Sequence, residues 1–268
     1  MTPPLRKNLV LLRAGDHSLH RTWLTDPVRD FDIFISYYGT QPNLYQAEAD
    51  YYEMSPGPKW PCLGTLVTEH AELLEHYAAF WFPDDDLAAT TATINQMFAL
   101  FHGFRLTLAQ PALTADSFYS WRILLQHPKY VLRYVDFVEI MAPIFDRQAL
   151  RNCRSTFGES QSGYGLDFVW PSLLDPQRPD ALAVLDATPV THTRPVGGEL
   201  YRNHPELKPR QDMLALLQKY GVAERKATGK YIFRGGVMRT TPAWWARRWM
   251  QLKSWNALRR LRREQTLG

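Results

Sequence analysis

The chain has 268 residues, 45% hydrophobic and 22% charged, the balance of a globular α/β domain with room for an appendage rather than of a disordered or fibrous chain. Its two cysteines, Cys62 and Cys153, stand far apart in no metal-binding spacing, which argues against a disulfide framework and for a reducing compartment. The net charge of +4 is uneven: 12 of the 31 Lys and Arg lie between Arg225 and Arg263, where there is no Asp or Glu, so the rest of the chain carries 19 basic against 27 acidic residues and is net −8.

In chain order, Asn8–Ala14 and Phe31–Tyr38 are short apolar runs bounded by turn residues, and both are expected to be strands, with a short helix from Ser18 to Thr25 between them. Leu63 to Tyr77 carries apolar residues at helical spacing. Ala79–Phe82 is expected as a strand that stops at Pro83-Asp84-Asp85-Asp86, followed by a helix over Ala88–Phe101 and a strand over Leu106–Ala109. Val135 to Ile144 reads as a buried strand, Arg147–Ser155 and Leu166–Leu174 as short helices, and Ala181–Asp186 as a strand. This βαβ succession argues for an α/β fold whose mixed, mostly parallel sheet is flanked by helices. A helix at Gln211–Tyr220, a short strand at Lys230–Phe233 and a basic helix over Pro242–Arg263 complete the chain. The body is expected over 1–205 and a C-terminal extension, packed on it, over 206–268.

No apolar stretch approaches the ~20 residues of a membrane span, and the apolar run Leu9–Leu12 is too short for a secretory signal. A cytoplasmic protein is expected, with a peripheral place on the inner face of the membrane open to it. The 13% aromatic content, with nine Trp, suits a core, a sugar-stacking cleft or a membrane interface alike.

The strongest chemical signal is Phe80-Trp81-Phe82-Pro83-Asp84-Asp85-Asp86-Leu87, an apolar strand that delivers three carboxylates to its C-terminal end. Ligands of open α/β sheets bind at that end. Carboxylates two apart can share Mg²⁺ or Mn²⁺, which take oxygen ligands and neutralise a departing diphosphate. The competing structural account makes Asp86 a helix cap and leaves the other two solvated. In Gly163-Tyr164-Gly165-Leu166-Asp167, the glycines permit a close backbone approach to a ligand. Asp167 is either a base for an acceptor hydroxyl or a helix-dipole partner. His192 follows the stretch Asp186-Ala187-Thr188-Pro189-Val190-Thr191 and could complete a metal shell begun by carboxylates. Glu139 interrupts an apolar run, so it is either paired or faces a polar cleft.

Together these signals resemble a family known only as domain of unknown function 707. The resemblance rests on Lys59-Trp60, Asp84-Asp85-Asp86, Gln110-Pro111-Ala112-Leu113, Phe137 to Phe145, Gly163 to Asp167, and Asp186 with His192. Tyr164 stands where the family usually has Trp, and the residue before Asp167 is not the Glu often found there. The family is similar in layout to GT-A glycosyltransferases, with a Rossmann-like nucleotide-binding half. The resemblance implies Asp84, Asp86 and His192 as metal ligands for Mn²⁺ or Mg²⁺, and Asp167 as the acidic catalytic residue; Glu139 is a second catalytic candidate. Lys59, Trp60, Asp84, Asp85, Gly163 and Gly165 are the expected contacts to a nucleotide-diphosphate sugar.

The function expected on this basis is a metal-dependent glycosyltransferase acting on a glycan or lipid-linked acceptor, with inversion preferred. The alternatives are a non-catalytic nucleotide-sugar or glycan-binding protein of the same fold, and a metal-dependent phosphohydrolase. The basic stretch 242–263 suits an anionic membrane surface or packing on the acidic body; nucleic acid is the least favoured partner.

Overall fold

The computed structural model describes residues 6–178, 180–197, 207–224 and 234–238. Its strands are β1 (Asn8–Ala14), β2 (Phe31–Tyr37), β3 (Tyr51–Met54), β4 (Ala79–Trp81), β5 (Leu87–Ala88), β6 (Leu108–Leu113), β7 (Tyr130–Tyr134), β8 (Ile144–Asp146), β9 (Leu182–His192) and β10 (Gly235–Met238). Its α-helices are α1 (Lys59–Glu69), α2 (Ala71–Leu74), α3 (Thr91–Gly103), α4 (Arg147–Cys153), α5 (Leu166–Val169) and α6 (Pro209–Tyr220).

One sheet joins the strands in the order β10-β7-β9-β6-β8-β4-β1-β2-β3, and β5 pairs with the far end of β9. β3, β2, β1, β4, β6 and β9 run one way; β8, β7 and β5 run against them. This is the mixed, mostly parallel sheet flanked by helices that the sequence led us to expect. Every residue of β1 and β2 is buried, which is why both read as continuous apolar runs rather than as alternating ones. They pair in parallel from Asn8↔Phe31 to Ala14↔Tyr37.

Much of the aromatic content is core. Trp60, Phe82, Phe145, Phe157 and Trp170 interlock, with Trp60 lying 4.7 Å from Phe157 and 4.9 Å from Trp170, both edge-on. Trp81 packs 5.2 Å from Trp23 and donates its indole N–H to the Ala142 carbonyl. Such pairs contribute roughly 0.5–1.5 kcal/mol beyond the area they bury.

Several expected elements differ. Val135 to Ile144 is not a strand: β7 ends at Tyr134, β8 begins at Ile144, and the chain between crosses the end of β4. Its polar groups turn to individual partners. The Pro143 and Met141 carbonyls accept the Phe82 and Asp84 N–H groups at 2.9 and 2.8 Å, and the Glu139 N–H donates to Gln110 Oε1 at 2.6 Å. A buried crossing loop and a buried strand are both apolar, so composition cannot separate them. The helix expected over Leu63–Tyr77 starts earlier and breaks at His70 (φ −105°, ψ 26°) into α1 and α2. The helix expected from Ala88 yields its first residues to β5 and begins after Thr90, whose hydroxyl accepts the Thr93 N–H. β9 runs on past Asp186 to His192, with an irregular register against β6 near Pro111 and Leu113.

The compact unit Met1–Val237 holds β1 to β9 and the described α-helices α1 to α6; Met238–Gly268 forms a second unit, of which only Met238 is described. The strand expected at Lys230–Phe233 and the basic helix over 242–263 lie outside the described residues. No helix among the described residues is long and apolar enough to cross a membrane.

Candidate functional site

The turn after β4 is fixed from both sides. Its first half hangs on the Pro143 and Met141 carbonyls, and its second half is held by the Asp85 carbonyl, which accepts the Leu19 N–H at 2.7 Å. The Asp86 carbonyl accepts the Thr193 N–H and hydroxyl at 3.1 and 2.8 Å. The chain then enters β5, where the Trp23 indole donates to the Leu87 carbonyl. The short ladder Leu87↔His192 and Ala88↔Thr191 brings β9 alongside. Residues a hundred positions apart in the chain thus become neighbours by strand pairing.

Asp86 Oδ2 lies 3.2 Å from His192 Nε2. One carboxylate oxygen from each of Asp84 and Asp86 and one imidazole nitrogen of His192 all lie within 4.8 Å of one another. Asp86 Oδ1 is buried and has no hydrogen-bond partner among the described residues, a costly state for a buried acceptor. Two carboxylates and an imidazole are a donor set that suits Mn²⁺ or Mg²⁺, and the orphaned oxygen is what such an ion would meet. The residues present therefore fit a divalent cation.

His192 Nδ1 is 2.8 Å from the Phe118 carbonyl, so that nitrogen carries a proton and donates it. Nε2 then either accepts a cation or is itself protonated toward Asp86. Burial works to lower the His192 pKa, but the hydrogen bond to Asp86, that carboxylate's charge and the Phe118 carbonyl outweigh it and carry the value up to about 9. Burial pushes Asp84 above the ordinary carboxylate range, and Lys59 opposes the shift while Asp86 adds to it. The Asp84 side chain lines the cleft and keeps 35% of its surface exposed.

Lys59 holds this arrangement from below. Its Nζ lies 2.6 Å from Asp84 Oδ1 and 3.0–3.1 Å from the carbonyls of Phe82, Ile140 and Met141. These contacts are all to protein oxygens. Asp85 faces the other way: Oδ2 accepts the Gly15 N–H at 2.8 Å and the Tyr38 hydroxyl at 3.3 Å, and Oδ1 lies 3.4 Å from Arg194 Nη1. Burial raises its pKa, against the pull of the Gly15 N–H and Arg194. Trp60 is buried in the aromatic core and is among the residues that line the cleft.

The cleft has a volume of about 1360 Å³ and is lined by Lys59, Asp84, Asp85, Asp86, His192 and Arg194 together with Glu139 and Asp167. Asp167 lies in the first turn of α5 and is buried. Glu139 comes from the crossing loop; its Oε2 is buried with no hydrogen-bond partner among the described residues. Burial and then the charge of Asp167 push the Glu139 carboxyl up to about 8, while a hydrogen bond from Ser120 pulls the other way.

No protein-family model and no curated protein matches the chain. Among solved structures, S. aureus TarS aligns at 8% identity with a TM-score of 0.46, over 80% of this chain and 44% of TarS. The chain thus spans less than half the length of that protein. TarS 1–349 in complex with UDP-GlcNAc aligns at 9% identity with a TM-score of 0.49, over 79% of this chain and 71% of that one.

Gly163 and Gly165 have positive φ, +81° and +93°, and the space at each is filled by protein. A Cβ on Gly163 would run into the Trp60 ring, and one on Gly165 would sit 2.9 Å from Met213 Cα of α6. Both glycines therefore let the turn close onto its neighbours. Gly163→Ala is expected to cost about 1–3 kcal/mol in thermal unfolding. Gly158→Ala, where a Cβ meets nothing within 4 Å, is the near-neutral control; equal melting temperatures for the two variants would refute this account.

Sequence reasoning passed over Arg13, Tyr38, Ser120, Trp121 and Arg194, all of which line the cleft. A signal existed for Arg13, a charge closing an apolar strand; its guanidinium is buried and bonds Ser36 Oγ at 2.7 Å and the Gly57 carbonyl at 2.9 Å. Arg194 had only its place two residues after His192 to mark it.

Proposed function

We propose that this chain is a metal-dependent glycosyltransferase that moves a sugar from a nucleotide-diphosphate donor to a glycan or lipid-linked acceptor, and that it belongs to the domain of unknown function 707 family. The observation that carries the reading is the meeting of Asp84, Asp86 and His192 at the C-terminal ends of β4 and β9, inside a cleft large enough for a nucleotide sugar.

Asp84, Asp86 and His192 would hold the ion, which when bound neutralises the charge that develops on the leaving diphosphate. The Phe118 carbonyl orients the His192 ring for that task. Arg13, Tyr38, Asp85 and Arg194 gather at the ends of β1 and β2 and around the metal ligands, where the nucleotide would lie. Asp167 takes the proton of the acceptor hydroxyl. Glu139, with a pKa of about 8, keeps its own proton at neutral pH and is suited to donate a hydrogen bond rather than to accept a proton. Direct attack assisted by Asp167 gives inversion. The membrane-surface partner expected for 242–263 rests on residues outside those described.

Titration with UDP- and GDP-sugars in the presence of Mn²⁺ tests the donor half. Asp167→Asn is expected to bind the Mn²⁺–donor pair as the wild type does and to lose roughly 10²–10⁴-fold in turnover. Wild-type turnover by this variant, or failure of the wild type to bind any nucleotide sugar, would end the proposal.

A further inference from the structure

The residues lining the cleft fall into two groups by their contacts. Tyr38 and Arg194 meet at Asp85, with Arg13 over the Tyr38 ring; Glu139 has Ser120 and Asp167 close to it, and Trp121, Tyr164 and Phe168 line the same cleft. The second group is rich in aromatics. The Trp121 ring sits 5.1 Å from Phe137 and 5.9 Å from Phe168, edge-on to both, and Phe137 and Phe168 pack 5.7 Å apart. Tyr164 stands on the glycine turn with 37% of its surface exposed, and Phe118 and Tyr119 carry the aromatic character out to the surface at 46% and 45%. Phe118 and Tyr119 directly precede the cleft-lining Ser120 and Trp121 in the chain, and exposed aromatics of this kind mark a place where something apolar is laid down.

The base of this wall is polar. Glu139, 95% buried, has an oxygen without a hydrogen-bond partner among the described residues and lines the cleft, with the Ser120 hydroxyl and Asp167 close to it. Flat apolar faces beside hydroxyl and carboxyl groups suit a pyranose, whose ring C–H face stacks on aromatics while its hydroxyls take directed hydrogen bonds. The segment is also tied to the metal ligand. The Phe118 N–H donates to the His192 carbonyl at 3.0 Å, His192 Nδ1 donates to the Phe118 carbonyl at 2.8 Å, and the His192 N–H donates to Ser117 Oγ at 3.1 Å.

Resting on the glycosyltransferase reading, we propose that the acceptor is a pyranose whose ring lies against Trp121 and Tyr164, with its attacking hydroxyl directed to Asp167 by Glu139 and Ser120. In the transfer, the hydroxyl oxygen forms the new bond to the anomeric carbon and its proton goes to Asp167. The bond from the anomeric carbon to the diphosphate oxygen breaks, and its electron pair stays on the diphosphate. Glu139 and Ser120 are positioning residues in this scheme.

The test uses the full chain with Mn²⁺ and UDP, and separately with GDP, followed by saturation-transfer NMR with methyl pyranosides of the gluco, galacto, manno and N-acetylglucosamine series. At least one pyranoside is expected to show ring C–H contacts, and Tyr164→Ala to weaken its affinity about tenfold. Tyr164 is chosen because it is the more exposed of the two rings, and circular dichroism checks that the variant is folded; Trp121→Phe, which keeps an aromatic ring at that position, is expected to weaken the same pyranoside to a lesser degree. Nucleotide binding without any pyranoside contact, or a pyranoside bound equally by wild type and Tyr164→Ala, overturns the acceptor site and leaves the transferase reading standing. If neither nucleotide binds with Mn²⁺, the transferase reading fails and the acceptor site with it.

Discussion

Asp86→Asn is expected to remove Mn²⁺-dependent donor binding while the chain stays folded. The side chain keeps its shape, so the turn held by Thr193 and Leu19 through backbone carbonyls is not disturbed. What disappears is one of two carboxylate charges in the set Asp84, Asp86 and His192. The loss also reaches His192, whose pKa of about 9 depends on Asp86 for its largest upward contribution. Electrostatic stabilisation of a leaving group is worth several kcal/mol. A loss of about 3–4 kcal/mol is a drop of roughly 10²–10³-fold in kcat/KM. Calorimetry with Mn²⁺ and UDP, alongside circular dichroism, separates loss of site from loss of fold. A folded variant that binds the Mn²⁺–nucleotide pair as tightly as the wild type would remove the metal site from consideration.

The largest stability effect belongs to Asp186→Asn. Asp186, on β9, is fully buried and forms a bidentate pair with Arg133 of β7, Nε to Oδ2 at 2.8 Å and Nη2 to Oδ1 at 3.0 Å. The His127 N–H adds a third bond to the carboxylate at 2.7 Å, and Arg133 also donates to the Ile123 and Leu125 carbonyls. The pair thus ties β7, β9 and the 123–127 turn together. Neutralising one partner leaves a buried guanidinium uncompensated, which typically costs about 3–5 kcal/mol. At roughly 2–4 °C per kcal/mol for a chain of this size class, the melting temperature should fall by roughly 6–20 °C. Below that temperature the variant should still bind Mn²⁺ and nucleotide, since Asp186 does not belong to the cluster at His192. An unchanged melting temperature would contradict this account.

How far the sequence could be read depended on what each segment hydrogen-bonds to. β1 and β2 were legible to within a residue because they are central parallel strands, apolar throughout and closed by turns. The crossing loop over residues 135–143 has the same composition, but its carbonyls serve Lys59, Trp81 and two backbone N–H groups. Side-chain acceptance of that kind leaves no periodic trace. β9 was cut short at Asp186 because Pro189 reads as a strand end, whereas the observed strand continues to His192 with a register shift in its pairing. At the site, the carboxylates announced themselves as a run. The proximity of His192 to them comes from the Leu87↔His192 pairing, a two-residue ladder too short to foresee.

Lys59 gives the cluster a property of its own. With an ammonium already seated against Asp84, the empty-handed protein is not starved of positive charge, and a bare ion has little to gain by entering alone. The balance tips when a diphosphate brings further negative charge. On the proposed reading the metal therefore travels in with the nucleotide instead of being stored. On that reading, purified protein should carry substoichiometric Mn²⁺ or Mg²⁺.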